Sequence, residues 1–197
     1  PYSMFMNVAG LKMVLPSTPY DMKGLLKSVI RDNNPVICFE SRRLMGIEGD
    51  VPDGDYTVPL GKADVKREGG DITVVAFAWL VHEALAAAET LARDGISVEV
   101  VDPRTLVPMD AETIRESVRK TGRLLIADEA GPTAGASAEI ASLVTEDRDS
   151  FNCLVAPVKR VCALHVPIPY SPALENHVFP DRHKIEAGIW ELMAGLG

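Results

Sequence analysis

Asp71-Ile72-Thr73-Val74-Val75-Ala76-Phe77-Ala78-Trp79-Leu80-Val81-His82-Glu83-Ala84-Leu85 is the stretch that decides the fold. Residues 72–78 are apolar at every position except Thr73, as expected of a strand covered on both faces. The period then changes. Val81, Ala84, Leu85, Ala88, Leu91 and Ala92 fall on one helical face, and Gly95 suits the position just past the helix end. Outward from here the alternation repeats. Residues 98–101 read as a second strand. Asp110 fits an N-cap, Met109 before it can staple to Ile114, and Gly122 stops that helix. Residues 124–127 form a third strand, 138–144 a helix of small residues, and 158–163 a fourth strand. Asp181 caps a last helix with Ile185, Ile189, Leu192 and Met193 turned inward. Strands separated by helices of this length imply right-handed crossovers. The expected fold is α/β, with a mainly parallel sheet and helices on both faces.

Upstream of this unit the chain reads as strand, helix, strand. Residues 11–15 are a short strand. Thr18 fits an N-cap, Pro19 the first helical position, and Asp21 brings a carboxylate into the first turn. Met22, Leu25, Leu26, Val29 and Ile30 have the spacing of one buried face. Asp32-Asn33-Asn34-Pro35 stops the helix, and residues 36–39 read as a buried strand. Residues 41–61 show no period and carry Gly46, Gly49, Pro52, Gly54 and Pro59 among charges, which marks a connection between domains. The organisation expected is a first unit over residues 1–45, a linker over 46–69 and a second unit over 70–197.

Composition narrows the function. Of 197 residues, 47% are apolar and 24% charged, which excludes a disordered chain. No apolar run is long enough to span a bilayer. The formal charge of −8 disfavours a nucleic-acid partner. Cys38, Cys153 and Cys162 are too widely spaced for a disulfide framework or a metal site, and a reducing cytoplasm is expected. The chain begins at Pro1, so it is either processed or a piece of a longer protein.

Self-contained catalytic motifs are lacking: there is no G-x-S-x-G, no phosphate loop and no G-x-G-x-x-G. Gly131-Pro132-Thr133-Ala134-Gly135 opens a helix after a strand. It reads as a tight turn first, and as an anion site second. Asp128-Glu129 falls at the carboxyl end of a strand, where open α/β sheets bind ligands. Solvated or interface charge is favoured over acid–base work there, since no histidine is near in sequence. His82, His165, His177 and His183 lack metal-ligand spacing. Prolines 167, 169 and 172 around Tyr170 make a rigid surface arm. At the end of the first helix, carbonyls carry the negative end of the helix dipole, and Asp32 and Asn34 add oxygens. A helix stop is favoured over a cation site.

The whole chain carries a resemblance. Leu11-Lys12-Met13-Val14-Leu15-Pro16-Ser17-Thr18-Pro19-Tyr20-Asp21-Met22-Lys23-Gly24-Leu25-Leu26 resembles the transketolase-like beta subunit of the thiamine-diphosphate-dependent first component of acetoin and 2-oxo-acid dehydrogenase complexes. So do Ile30-Arg31-Asp32-Asn33-Asn34-Pro35-Val36-Ile37, Pro59-Leu60-Gly61-Lys62-Ala63, Val100-Val101-Asp102-Pro103-Arg104-Thr105-Leu106 and Pro167-Ile168-Pro169-Tyr170-Ser171-Pro172-Ala173-Leu174-Glu175. It runs from residue 9 to 194. It implies the end of a pyrimidine-binding domain, then a transketolase C-terminal domain. Family beta subunits carry a His-Ser-Gln segment just before the position of Pro1 and an activating glutamate far upstream. The resemblance therefore implies no catalytic and no cofactor-binding residue in this chain. It implies thiamine diphosphate with magnesium in the complete enzyme, and a potassium ion held near Ile30, Asp32 and Asn34. The partners implied are an alpha subunit, a second beta subunit and a lipoyl acyltransferase component, with no nucleic acid and no membrane. Val155 stands where pyruvate-type relatives place an acidic residue that pairs with arginine of the acyltransferase. Asp128-Glu129-Ala130 with the small residues after it resembles the acetoin type. Acetoin is the first expected substrate, then pyruvate or a branched-chain 2-oxo acid. The rival reading is a non-catalytic assembly module. Met4, Phe5, Met6 and Val155 are expected to leave apolar surface for partners.

Overall fold

The computed structural model describes residues 2–194. Pro1 and residues 195–197, the outer ends of the two expected units, lie outside the described residues. The first unit holds α1 (Ser3–Met6), β1 (Lys12–Val14), α2 (Pro19–Ile30) and β2 (Val36–Cys38), followed by a 3₁₀ turn at Arg42–Leu44. The second holds β3 (Asp64–Arg67), β4 (Ile72–Ala76), α3 (Leu80–Ala92), β5 (Val98–Asp102), β6 (Thr105–Val107) and α4 (Ala111–Thr121). It continues through β7 (Leu124–Asp128), α5 (Ala136–Thr145), α6 (Arg148–Cys153), β8 (Lys159–Cys162), α7 (Pro172–Val178) and α8 (Arg182–Ala194). No described helix is long and apolar enough to cross a membrane.

The larger sheet has the order β3-β5-β4-β7-β8, with β5, β4, β7 and β8 mutually parallel. Every residue of β4, β5 and β7 is buried, because helices cover both faces. Successive side chains of a strand point to opposite faces, so β4 feeds two cores. Ile72, Val74 and Ala76 pack with Leu80, Ala84 and Leu91 of α3 and Ile185 and Ile189 of α8. Val75 and Phe77 pack with Ile114 and Val118 of α4 and Ile140 and Val144 of α5. The local signals act as expected. Asp110 accepts a hydrogen bond from Thr113 N–H, Gly122 ends α4 at φ 71°, and Asp181 accepts from Lys184 N–H.

Three expectations need correction. First, the stretch assigned to a linker over 46–69 contains β3, an edge strand paired antiparallel with β5. Its four residues are all half-buried, so alternation gave no signal. Second, β6 was not anticipated. It leaves the second unit and pairs antiparallel with β1, completing a sheet of order β2-β1-β6. Third, α2 is rotated from the expected face. Asp21, Gly24 and Leu25 are buried, whereas Leu26 is 40% and Ile30 75% exposed. The connecting strand of chain explains this, because it lies along α2 as a strap. Val58 N–H donates to Gly24 O at 3.1 Å, and Ser28 Oγ donates to Val58 O at 2.5 Å. Tyr56 stacks on Tyr20 with centroids 4.6 Å apart. A Cβ at Gly24 would lie 2.5 Å from Val58 Cγ2, so only glycine admits the strap this closely.

This rotation sets unequal costs for adjacent leucines. Leu25→Ala should destabilise the chain by about 2–5 kcal/mol in urea unfolding, the cost of a buried cavity. Leu26→Ala should stay within about 0.5 kcal/mol, as exposed positions do.

Candidate functional site

In the order β5-β4-β7-β8 the chain leaves β4 toward β5 and later returns on the other side of β4 to lay down β7. The carboxyl ends of β4 and β7 therefore form the crevice where sheets of this kind take ligands. Here that crevice is filled by Tyr2, which is 1% exposed. Its ring meets Phe39 and Phe77 edge-on, with centroids 6.1 and 6.2 Å away. Its hydroxyl donates to Asp128 Oδ1. Burial, and then the Asp128 charge, push the Tyr2 phenol far above its ordinary range, so it stays protonated as a donor. Asp128 Oδ1 also accepts from Ala130 N–H at 2.9 Å, and Oδ2 accepts from Ser137 N–H at 2.9 Å. The carboxylate thus closes the start of α5. The Gly131–Gly135 segment acts as a turn whose helix amide is already occupied by a chain carboxylate. A Cβ at Gly135 would lie 3.1 Å from Asp128 Oδ2.

Glu129 faces a neighbouring cleft of about 380 Å³, lined by Thr133, Leu164, His165, Val166 and Phe179 among others. Burial raises its carboxyl pKa, and the Asp128 charge adds to this. Arg43 covers the Trp79 ring at 4.3 Å and the Phe179 ring at 5.0 Å, and pairs with Glu175 at 3.3 Å. The histidines stand apart. His82 Nε2 is 2.8 Å from Ser17 O, which makes it a contact between the two units. His165 Nδ1 is 3.3 Å from Thr133 Oγ1, and His183 Nδ1 is 3.5 Å from Glu186. No group of three or more His, Cys, Asp or Glu among the described residues could hold a metal ion.

At the end of α2, Asp32 Oδ2 receives Lys12 Nζ at 2.5 Å. Asp32 Oδ1 accepts from Asn34 N–H at 2.8 Å and from Asn34 Nδ2 at 3.0 Å. These bonds hold its carboxyl down at about 2. A side-chain ammonium thus holds Asp32, one of the three residues named for an ion, and Ile30 is exposed. Elsewhere the surface carries the expected apolar residues: Met4 is 76% and Val155 56% exposed, although Met6 packs against a core. The arm at 167–171 is followed by α7, which starts at Pro172 and was not anticipated.

A family model described as the transketolase C-terminal domain matches residues 61–185, and one described as the transketolase pyrimidine-binding domain matches residues 1–67. The chain belongs to the transketolase family. Among curated relatives, it is 46% identical to acetoin:2,6-dichlorophenolindophenol oxidoreductase subunit beta of Cupriavidus necator over 98% of its own length and 56% of the relative's. The Bacillus subtilis protein of that name is 47% identical with the same coverage. The 2-oxoisovalerate dehydrogenase subunit beta of Bacillus subtilis is 46% identical over 96% of this chain and 58% of the relative. This transketolase-family chain therefore spans a little over half the length of those relatives. The solved structure described as a split gene transketolase, inactive beta4 tetramer, shares the fold with a TM-score of 0.82 at 24% identity. It is matched over 98% of this chain and 60% of that one.

The Tyr2–Asp128 bond should be measurable. Tyr2→Phe leaves the ring contacts and removes the donor, so it should cost about 1–3 kcal/mol in urea unfolding, as for a hydrogen bond to a buried charged group.

Proposed function

We propose that this chain is the C-terminal part of the beta subunit of a thiamine-diphosphate-dependent dehydrogenase, with acetoin as first substrate. The parent enzyme cleaves a carbon–carbon bond next to a carbonyl and passes the acyl unit to a lipoyl carrier. The observation that carries this reading is the 46–47% identity to two acetoin oxidoreductase beta subunits over 98% of the chain, with both transketolase domain matches in order. The branched-chain and pyruvate alternatives rest on relatives of similar identity, including the Bacillus subtilis pyruvate dehydrogenase E1 component subunit beta at 49%.

The described residues do not form a cradle for the cofactor's diphosphate at the α5 start, since Asp128 holds that amide. No chemical step is assigned to this chain. Thiamine diphosphate with magnesium belongs to the complete alpha–beta enzyme. The chain's part is to present surface to the alpha subunit, a second beta subunit and the acyltransferase component, within the cytoplasm. Exposed Met4, Phe5 and Val155 support a partner-bound state. A potassium ion at the end of α2 belongs to this reading only through backbone carbonyls, because Lys12 holds the Asp32 carboxylate. The second reading, an assembly module without chemistry, is favoured by the self-filled crevice around Tyr2.

The test is dichlorophenolindophenol reduction by the full-length beta subunit co-expressed with its alpha subunit, supplied with thiamine diphosphate and magnesium. Acetoin should give the fastest reduction, ahead of pyruvate and 2-oxoisovalerate. Reduction with none of the three would leave the assembly module standing. For the ion, melting of the full chain in potassium chloride should occur at higher temperature than in choline chloride. Equal midpoints would remove potassium from the proposal.

A further inference from the structure

Where the two units meet, five charged side chains pack together with the hydroxyls of Ser17 and Thr18. Asp21 and Ser17 come from the first unit, Asp64 and Lys66 from β3, and Asp102 and Arg104 from the end of β5 and the residues after it. Asp21 and Asp102 are fully buried, and Ser17 nearly so. Lys66 Nζ lies 2.6 Å from Asp21 Oδ2 and 2.8 Å from Asp64 Oδ2, but 3.8 Å from Asp102 Oδ2. Arg104 Nη2 lies 2.8 Å from Asp64. Its Nε is 3.3 Å from Asp21 Oδ1, yet the two are not aligned for a hydrogen bond. Thr18 Oγ1 donates to Asp21 Oδ2 at 2.7 Å.

Both cations are therefore spent on Asp21 and Asp64. Asp102 is left with neutral donors: the Ser17 hydroxyl on Oδ2 and Arg104 N–H on Oδ1 at 2.9 Å. On the far side of Ser17, α3 offers His82, whose Nε2 contacts Ser17 O. Fully ionised, the cluster holds three carboxylates against two cations, and a buried excess charge is costly. One proton on Asp102 balances it.

We propose that the junction is a proton-coupled latch, in which Asp102 takes up a proton as the first unit closes onto the second, so that acidification tightens the contact. The carboxyl's surroundings agree. Burial raises Asp102 to about 6, the Asp21 charge adds to this, and Ser17, Lys66 and Arg104 N–H oppose it. A folded-state pKa above the unfolded one contributes stability at low pH. That contribution is complete below the ordinary carboxylate pKa, about 4, and is lost as pH rises through about 6. Asp64 works the other way. Burial raises it, but Lys66 and Arg104 outweigh burial and hold its carboxyl low, so its own contribution is lost only in acid. Lys66 is pulled down by burial and lifted further by Asp21, Asp64 and Asp102, so it stays charged throughout.

The experiment compares urea unfolding of the full chain with that of Asp102→Asn across about pH 4 to 7.5. The folded-to-unfolded ratio of the wild type, divided by that of the variant, should fall by up to about 100-fold as pH rises, two pKa units' worth. A quotient that does not change with pH overturns the latch. Should the variant fail to fold, carboxyl-carbon NMR titration of Asp102 in the wild type decides. A midpoint near 6 supports the latch, and one at or below about 4 overturns it. Ser17→Ala supplies a check that a purely structural role would not pass. Losing the hydroxyl that favours the ionised form should move the Asp102 midpoint upward, and an unmoved midpoint overturns the assignment.

Discussion

The architecture depends on a short antiparallel contact between β1 and β6. Met13 lies opposite Val107 and Val14 opposite Thr105, and Leu15 N–H donates to Arg104 O at 2.8 Å. Without β6, β1 and β2 would be a two-stranded parallel ribbon, which has too little hydrophobic face to stand alone. With it, the first unit becomes a lobe grown on the second. The pairing also aims the neighbouring residues. Arg104, between β5 and β6, takes a positive φ of 56°, and its N–H and guanidinium then turn back toward Asp102, Asp21 and Asp64. The charged junction follows from the strand pairing.

The second unit was largely legible in the sequence because its elements are stabilised locally and by burial on two faces. The apolar run through β4 and the caps at Asp110, Gly122 and Asp181 each state their structure within a few residues. The first unit was legible only in outline. β6 has three residues and no alternation, and acquires meaning only when β1 lies beside it. The face of α2 was misplaced because its partner is an irregular strap. Val58 and Tyr56 select Gly24 and Leu25 by close approach, a requirement that apolar spacing does not express.

The candidate site divides along the same line. The Gly131–Gly135 turn follows from position in the alternation, whereas Asp128, expected as solvated or interface charge, is fully buried and bonded within the chain. The partner of Asp128 lies 126 residues away, and no local pattern announces Tyr2. At the end of α2 the sequence named Ile30, Asp32 and Asn34 as oxygen donors without considering Lys12, which reaches Asp32. Sequence spacing identifies donors more easily than the side chain that reaches them from the next strand.

Asp128 also has a thermodynamic side. One carboxylate bonds the Tyr2 hydroxyl, the turn at Ala130 and the Ser137 amide in the first turn of α5, and so it ties the segment around Tyr2, remote in sequence, to the turn that opens α5. Groups sharing one acceptor are energetically coupled, and coupling is reciprocal. Whatever draws the segment around Tyr2 out of its crevice also loosens the start of α5. Whatever stiffens α5 holds that segment more firmly. The surface near Ser3, Gly135 and Glu139, where the two segments adjoin, can therefore sense events at the sheet's carboxyl edge without a path of moving side chains between them.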